Sequence, residues 1–181
     1  MKYCVSTLAA AAVMLGGFAS AEEPVQMKLG EGHIIFTVAP EFKKEVPANR
    51  IIEFEFSATG EDAEKSDGRM TAMGAGGSLE ANVARWMAQF QQPDGSKTED
   101  KAKVTKEQIA GQTVHTVDIS GTYADGRPFG PKVQKEDYRM LAAIIMTEKY
   151  GNYFIKFYGP EDTIKKNEAA FKKTISSLEV K

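Results

Sequence analysis

The chain has 181 residues and a formal net charge of −2, with acidic and basic residues mixed along its length. No basic stripe is present, which argues against nucleic acid as a partner. The single cysteine, Cys4, lies at the very start, so the rest of the chain offers neither a thiol nucleophile nor thiolate metal ligands.

Residues 1–21 have the pattern of a secretory signal peptide. Lys2 precedes an apolar run that extends to Phe18, and an Ala-Ser-Ala triplet ends at Ala21. The run is too short and wrongly flanked for a membrane span, so we expect cleavage after Ala21 and export to the periplasm or the extracellular space. Residues 22–181 are near the usual size of one domain and contain no second long apolar run, which predicts a single α+β domain without a transmembrane anchor.

Three segments of the N-terminal half are predicted strands. HIIFTVAPEF, at 33–42, is rich in β-branched and aromatic residues. IIEFEFSA, at 51–58, alternates apolar and acidic residues with a period of two, which is typical of a half-buried strand. RMTAM, at 69–73, follows a polar turn as a short strand.

A helix is predicted after the third strand. Apolar residues then recur at helical spacing, as Leu79, Val83, Trp86, Met87 and Phe90. Ser78 is the expected N-cap, and Pro-Asp-Gly at 93–95 is the expected stop.

The glycine-rich turn from Gly74 to Ser78 precedes this helix and has two interpretations. Backbone N–H groups at a helix start can bind an anion. The turn fits neither the dinucleotide fingerprint nor the P-loop, however, and Glu80 in the first helical turn would repel a phosphate. A flexible connection into the helix is therefore favoured.

The C-terminal half is predicted to hold more strands and a last helix. VTKEQI and TVHTVDISGTY form a hairpin in which His115, Val117, Ile119 and Tyr123 share one face. The Pro- and Gly-rich segment 124–131 is an exposed loop. YRMLAAIIMT and NYFIKFYG are long strands, and a helix follows whose buried stripe is Ile164, Phe171, Ile175 and Leu178.

This order of elements predicts the fold class. Strands in runs joined by short turns imply a central, mostly antiparallel sheet. Two long helices should cover that sheet, which gives an α+β sandwich.

Two segments resemble PsbP-like domains. IIFTVAPEFKKE, at 34–45, is similar to their F-x-V-P-x-G-W-K opening, although Phe42 stands in the place of the tryptophan. YFIKFYGPEDTIKKNEAAFKKTISSLEV, at 153–180, resembles their closing strand, helix and terminal Ser-Leu. The resemblance implies an αβα sandwich with a central antiparallel sheet, in a superfamily whose members often act as accessory proteins.

A second resemblance is to uncharacterised secreted bacterial proteins of the planctomycete type. It is carried by GGSLEANVARWMAQF at 76–90, by GTY at 121–123, and by YRMLAAI at 138–144. No known activity is implied by it.

The best candidates for ligand or partner binding are Arg127, Phe129 and Arg85. Phe129 is an apolar residue on the exposed loop, beside Arg127. An exposed apolar ring lowers solubility unless a partner covers it, so this loop is the best candidate for recognition. Arg85 points away from the apolar stripe of the helix, whereas Trp86 lies within it and is assigned to the core. We expect no catalytic set, no cofactor and no metal site, because His33 and His115 are far apart in sequence and lack spaced ligands.

The leading functional hypothesis is therefore a non-enzymatic exported domain that binds a protein partner or a small ligand. The alternative is a small-molecule hydrolase or other enzyme whose site is assembled from Asp118, Asp137, His115 and Arg139. These two hypotheses differ in whether the four side chains meet in one cleft.

Overall fold

The computed structural model describes residues 24–61, 67–126 and 130–181, and the chain in these ranges is built mainly from strands. The strands are β1 (Gln26–Leu29), β2 (Ile34–Thr37), β3 (Lys43–Glu45), β4 (Phe54–Ala58), β5 (Gly68–Ala75), β6 (Phe90–Gln91), β7 (Lys103–Ile109), β8 (Gln112–Asp125), β9 (Val133–Thr147), β10 (Gly151–Pro160) and β11 (Glu179–Val180). The helices are α1 (Leu79–Met87), α2 (Thr98–Lys101), α3 (Glu161–Lys166) and α4 (Glu168–Ser176). No helix in the described ranges combines the length and apolarity that a membrane crossing needs.

The strands form two antiparallel sheets. The large sheet has the order β3-β4-β5-β10-β9-β8-β6, with β7 paired to the same strand β8 as β6. The small sheet has the order β1-β2-β11. The last strand of the chain therefore closes a sheet that the first two strands begin.

The large sheet is covered on both faces. Because side chains alternate along a strand, β10 sends Ile155 and Phe157 to one face and Phe154 to the other. The first face packs against β2, α3 and α4, with Phe171 in the core. The second face packs against α1, with Trp86 2% exposed. The sequence-predicted central strand is confirmed in β9, where every residue from Met140 to Ile145 is buried.

The expectation of one sheet covered by two long helices is wrong. The longest helices of the described ranges, α1 and α4, have nine residues each. Phe90, which continues the helical stripe in sequence, instead pairs with Tyr123 in β6. Asn167 interrupts the C-terminal helix with φ −101° and ψ 8°, and its side chain donates to the carbonyl of Thr59 at 3.0 Å. The small sheet was also not predicted, yet the fold remains α+β.

The long β8–β9 hairpin contains an irregularity at Gly121. The register between the two strands shifts between Gly121 and Tyr123. Gly121 has φ 143°, and a methyl group there would lie 2.6 Å from the carbonyl oxygen of Gln91. Only glycine fits this position, because the strand β6 approaches so closely.

Candidate functional site

Five side chains form a cationic–aromatic cluster on the second face of the large sheet, beside α1. They are Lys156 and Tyr158 of β10, Arg69 of β5, and Arg85 and Trp86 of α1. The alternation of β10 places Lys156 between Phe154 and Tyr158 on this face. Phe154 packs edge-on against Trp86, with ring centroids 5.0 Å apart, which fixes the helix over the strand. A lysine is thereby held in the middle of the sheet, where β10 lies between β5 and β9.

Lys156 is half-buried between two aromatic rings. Its Nζ lies 5.4 Å from the ring centroid of Trp86 and 5.4 Å from that of Tyr158. Within the described ranges, no carboxylate or hydrogen-bond acceptor pairs with this ammonium group. Burial, followed by the nearby positive charges of Arg85 and Arg69, lowers the pKa of Lys156 to about 8.

Arg69 is held by an acidic residue of the neighbouring strand. Its Nε donates to Glu55 Oε1 at 2.6 Å and its Nη2 donates to Oε2 at 3.1 Å. Its Nη1 donates to the hydroxyl of Tyr158, and its Cζ lies 5.8 Å from the ring centroid of Tyr158. The hydrogen bond that Arg69 donates to Glu55 raises the pKa of Arg69 and lowers the pKa of Glu55. Arg69 is thus paired with Glu55 inside the protein, although its charge still contributes to the lowered pKa of Lys156.

Arg85, one of the predicted binding residues, lies at the edge of this cluster. It is exposed in the last turn of α1, and its Nη2 donates to Asn82 Oδ1 at 2.6 Å. Among the residues with described positions, no acidic side chain forms a salt bridge with it. Arg85 and Lys156 therefore present two positive charges that this part of the protein does not neutralise.

Further aromatic rings continue from the cluster along β8 and β9. The ring centroids of Tyr158 and Tyr123 are 5.6 Å apart, and Tyr123 stacks on Tyr138 at 6.0 Å. Lys135 Nζ lies 5.3 Å from the ring centroid of Tyr138 and 2.9 Å from Asp125. This row runs toward the turn of the hairpin. Two of the predicted binding residues, Arg127 and Phe129, lie outside the described residues.

The four residues of the enzymatic alternative do not share one site. Arg139 donates to both oxygens of Asp118 at 2.8 Å and to Glu168 of α4 at 2.8 Å, so it ties the sheet to the helix. This pair lines a cleft of about 350 Å³ on the first face. His115 lines a different cleft, of about 510 Å³, on the second face. Asp137 is exposed in a backbone conformation with φ 52° beside the hairpin irregularity.

Side chains of the protein itself form hydrogen bonds with the glycine-rich turn. Glu53 Oε1 accepts a hydrogen bond from the N–H of Gly74 at 2.9 Å. Asn82 Nδ2 donates to the carbonyls of Gly76 at 3.1 Å and Ser78 at 2.8 Å. Ser78 caps α1 as predicted, accepting from the N–H of Ala81 at 3.2 Å. Glu53 and Ser78 therefore accept hydrogen bonds from backbone N–H groups at the two ends of the turn.

The two histidines stand in separate surroundings. His33 stacks on Tyr150 with ring centroids 4.3 Å apart, and its Nδ1 donates to the carbonyl of Lys181 at 3.1 Å. His115 lies on β8, and burial lowers its pKa. The described part of the chain contains no group of three His, Cys, Asp or Glu side chains placed to hold a metal ion.

Sequence reasoning missed the centre of the cluster. A signal for it exists in NYFIKFYG, where one charged residue, Lys156, occupies the same face as Phe154 and Tyr158. A cation on an otherwise aromatic strand face is unusual because burial penalises its charge. The proximity of Arg69 has no such signal, since it depends on the pairing of β5 with β10, which are distant in sequence.

The chain is similar to a known structure at the level of fold. It resembles the solution structure of cyanobacterial PsbP (CyanoP) from Synechocystis sp. PCC 6803 with a TM-score of 0.53. The sequence identity is 14%, over 94% of this chain and 98% of that chain. No protein-family model and no curated protein sequence matches the chain. The PsbP-like fold is thereby confirmed, whereas the resemblance to planctomycete-type secreted proteins stays a prediction.

Proposed function

We propose that this protein is a non-enzymatic exported binding domain, and that its binding surface is the cationic–aromatic cluster. The observation that carries the proposal is the position of Lys156, an ammonium group half-buried between Trp86 and Tyr158 without an acidic partner among the described residues. Burying a charge opposes folding unless an opposite charge compensates it. A counter-charge supplied by a partner would provide that compensation.

The composition of the cluster agrees with a role in recognition. Arginine, tryptophan and tyrosine are the residues that contribute most to the affinity of protein interfaces. Here Arg85 is exposed, and the rings of Tyr158 and Tyr138 are only partly buried. The surface is therefore open to a partner while its floor is held rigidly by Trp86.

The PsbP-like fold supports an accessory role rather than an enzymatic one. The separation of His115 from Asp118 and Arg139, which line different clefts on opposite faces of the sheet, also favours this proposal over the enzymatic alternative. We propose a protein partner as the principal ligand, since the cluster lies on an open sheet face beside a helix.

Capture of a partner by wild-type and altered proteins tests the proposal. Residues 22–181 would be immobilised and exposed to an envelope extract of the source organism. The double variant Lys156→Met/Arg85→Ala should lose the captured partner. The control Lys103→Ala/Lys173→Ala removes two exposed cations elsewhere and should retain it. Capture of no partner, or equal capture by both double variants, would contradict the proposal.

The proposed export has its own measurement. Mass spectrometry of the secreted or periplasmic protein should give a chain that begins at Glu22. A chain that retains Met1 and stays in the cytoplasm would refute export and leave the binding experiment unaffected.

A further inference from the structure

We propose that Lys156 and Arg85 form a subsite for a carboxylate group, with Trp86 as its floor. This inference rests on the proposed function and names the chemistry that the partner presents. The carboxylate would come from an aspartate or glutamate side chain of a protein partner, because these are the common exposed anions of proteins.

Positive charge around Lys156 exceeds negative charge. From β4 and β5, Glu55 and Arg69 face the cluster and neutralise each other through two hydrogen bonds. From β8 and β10, Tyr123 and Tyr158 face it as neutral phenols, because burial raises the pKa of both hydroxyls. Of the charged groups that face the cluster from the described residues, Lys156 and Arg85 thus form no ion pair, and one carboxylate between them would relieve their mutual repulsion.

Lys156 and Arg85 both have N–H donors that a ligand could use. An ammonium group has three N–H donors, and in Lys156 the two rings of Trp86 and Tyr158 approach it without accepting a conventional hydrogen bond. The guanidinium of Arg85 uses Nη2 for Asn82 Oδ1, which leaves further donors of its planar fork. A carboxylate has two oxygens and can accept from both cations at once.

The surroundings of the Lys156 ammonium group have low polarity. Trp86 is 2% exposed and Phe154 is 6% exposed, so the floor of the subsite is apolar. Hydrogen bonds between charged groups are stronger in such surroundings than in water. A bound carboxylate would also favour the protonated form of Lys156 and raise its pKa.

The fluorescence of Trp86 provides the assay, since it is the single tryptophan of the chain. The protein would be titrated at pH 7 and constant ionic strength with sodium acetate, with a hexaglutamate peptide and with inorganic phosphate. We expect a saturable change with acetate and with hexaglutamate, and half-saturation by hexaglutamate at a concentration at least tenfold lower. Acetate tests the carboxylate alone, and hexaglutamate tests its presentation on a peptide.

Two variants and one control make the titration specific. Lys156→Met and Arg85→Gln should each weaken hexaglutamate binding at least tenfold, whereas Lys173→Ala should bind as the wild type does. Arg85 is exposed, so its variant keeps the test valid if Lys156→Met does not fold. Raising the pH from 7 to 9.5 should also weaken binding at least tenfold in the wild type, because Lys156 loses its proton with a pKa of about 8.

Other outcomes would overturn the inference. Absence of a saturable response, or unchanged binding by both cluster variants, would remove the subsite. Tighter binding of phosphate than of hexaglutamate would refute the carboxylate as its ligand. A saturable carboxylate response without a captured partner would support the subsite and refute the proposed function. A captured partner without a carboxylate response would support the proposed function and refute the subsite.

Discussion

The substitution Lys156→Met measures what the buried ammonium group does to the stability of the fold. Methionine has a similar length and no charge, so it can occupy the same space between the rings of Trp86 and Tyr158. We expect this variant to be more stable than the wild type at pH 7. An increase in the free energy of unfolding would show that Lys156 serves a purpose other than folding.

The magnitude follows from two opposing contributions. The pKa of Lys156 falls from the usual lysine value of 10.5 to about 8, a drop that corresponds to a destabilisation of roughly 3 kcal/mol at neutral pH. Cation–π contacts with Trp86 and Tyr158 contribute about 0.5–1 kcal/mol each in the other direction, and the variant loses them. The net expectation is a stabilisation of about 1–2 kcal/mol.

The pH dependence gives an independent check with a definite sign. Between pH 8 and 10.5 the unfolded chain keeps the proton of Lys156 while the folded chain has lost it, so the free energy of unfolding rises with pH. From pH 7 to 9.5 the wild type should gain about 2 kcal/mol from this residue. The raised pKa values of Tyr123 and Tyr158 act in the opposite direction only above about pH 10, where unfolded tyrosine ionises.

Urea unfolding followed by circular dichroism at pH 7 and 9.5 provides the measurement. The difference between Lys156→Met and wild type should be largest at pH 7 and vanish or reverse at pH 9.5. A variant that is destabilised by more than about 1 kcal/mol at pH 7 would refute the reasoning, because the ring contacts would then outweigh the burial of charge.

Two further substitutions test the hairpin and its link to the helix. Gly121→Ala should lower the free energy of unfolding by about 2 kcal/mol or more, because the new methyl group meets the carbonyl oxygen of Gln91 at 2.6 Å; Gly76→Ala, where nothing lies within 4 Å, should change urea unfolding much less. Asp118→Asn should destabilise the fold by about 1–3 kcal/mol, since it removes the charged partner from the two hydrogen bonds of Arg139; an unchanged unfolding midpoint would show that Glu168 alone suffices for Arg139.

The sequence predicts the faces of strands better than the lengths of helices. The alternation that grouped Val117, Ile119 and Tyr123 is confirmed, because all three lie in the core under α1. That pattern is local and depends only on the geometry of a strand. The apolar stripe that ended at Phe90 was misleading, because pairing of Phe90 with Tyr123 is a tertiary contact that a helical periodicity does not reveal.

Of the five residues of the candidate site, only Arg85 was predicted from the sequence as a binding residue. Arg85 could be recognised as a residue outside the apolar stripe of its helix, and its charge acts on Lys156, whose ammonium group lies against the neighbouring Trp86. The relation of Lys156 to Arg69 needs the pairing of β5 with β10, and residue spacing within one sequence does not determine which strands pair. The separation of Asp118 from His115 follows from alternation along β8, since the spacing of three residues places them on opposite faces.

The position of β10 in the sheet has a consequence for how the chain folds. β10 lies between β5 and β9 in the sheet, and Phe154 of β10 pairs with Met73 of β5. Strand β5 therefore has no neighbour on that side until about the last sixth of the chain is present. Contacts between segments so distant in sequence make folding slow compared with hairpin-only sheets. A chain that ends before Gly151 should therefore leave β5 with an open hydrogen-bonding edge, and such edges are prone to pair between molecules. Synthesis of β10 is the step that turns two separate sets of strands into one sheet.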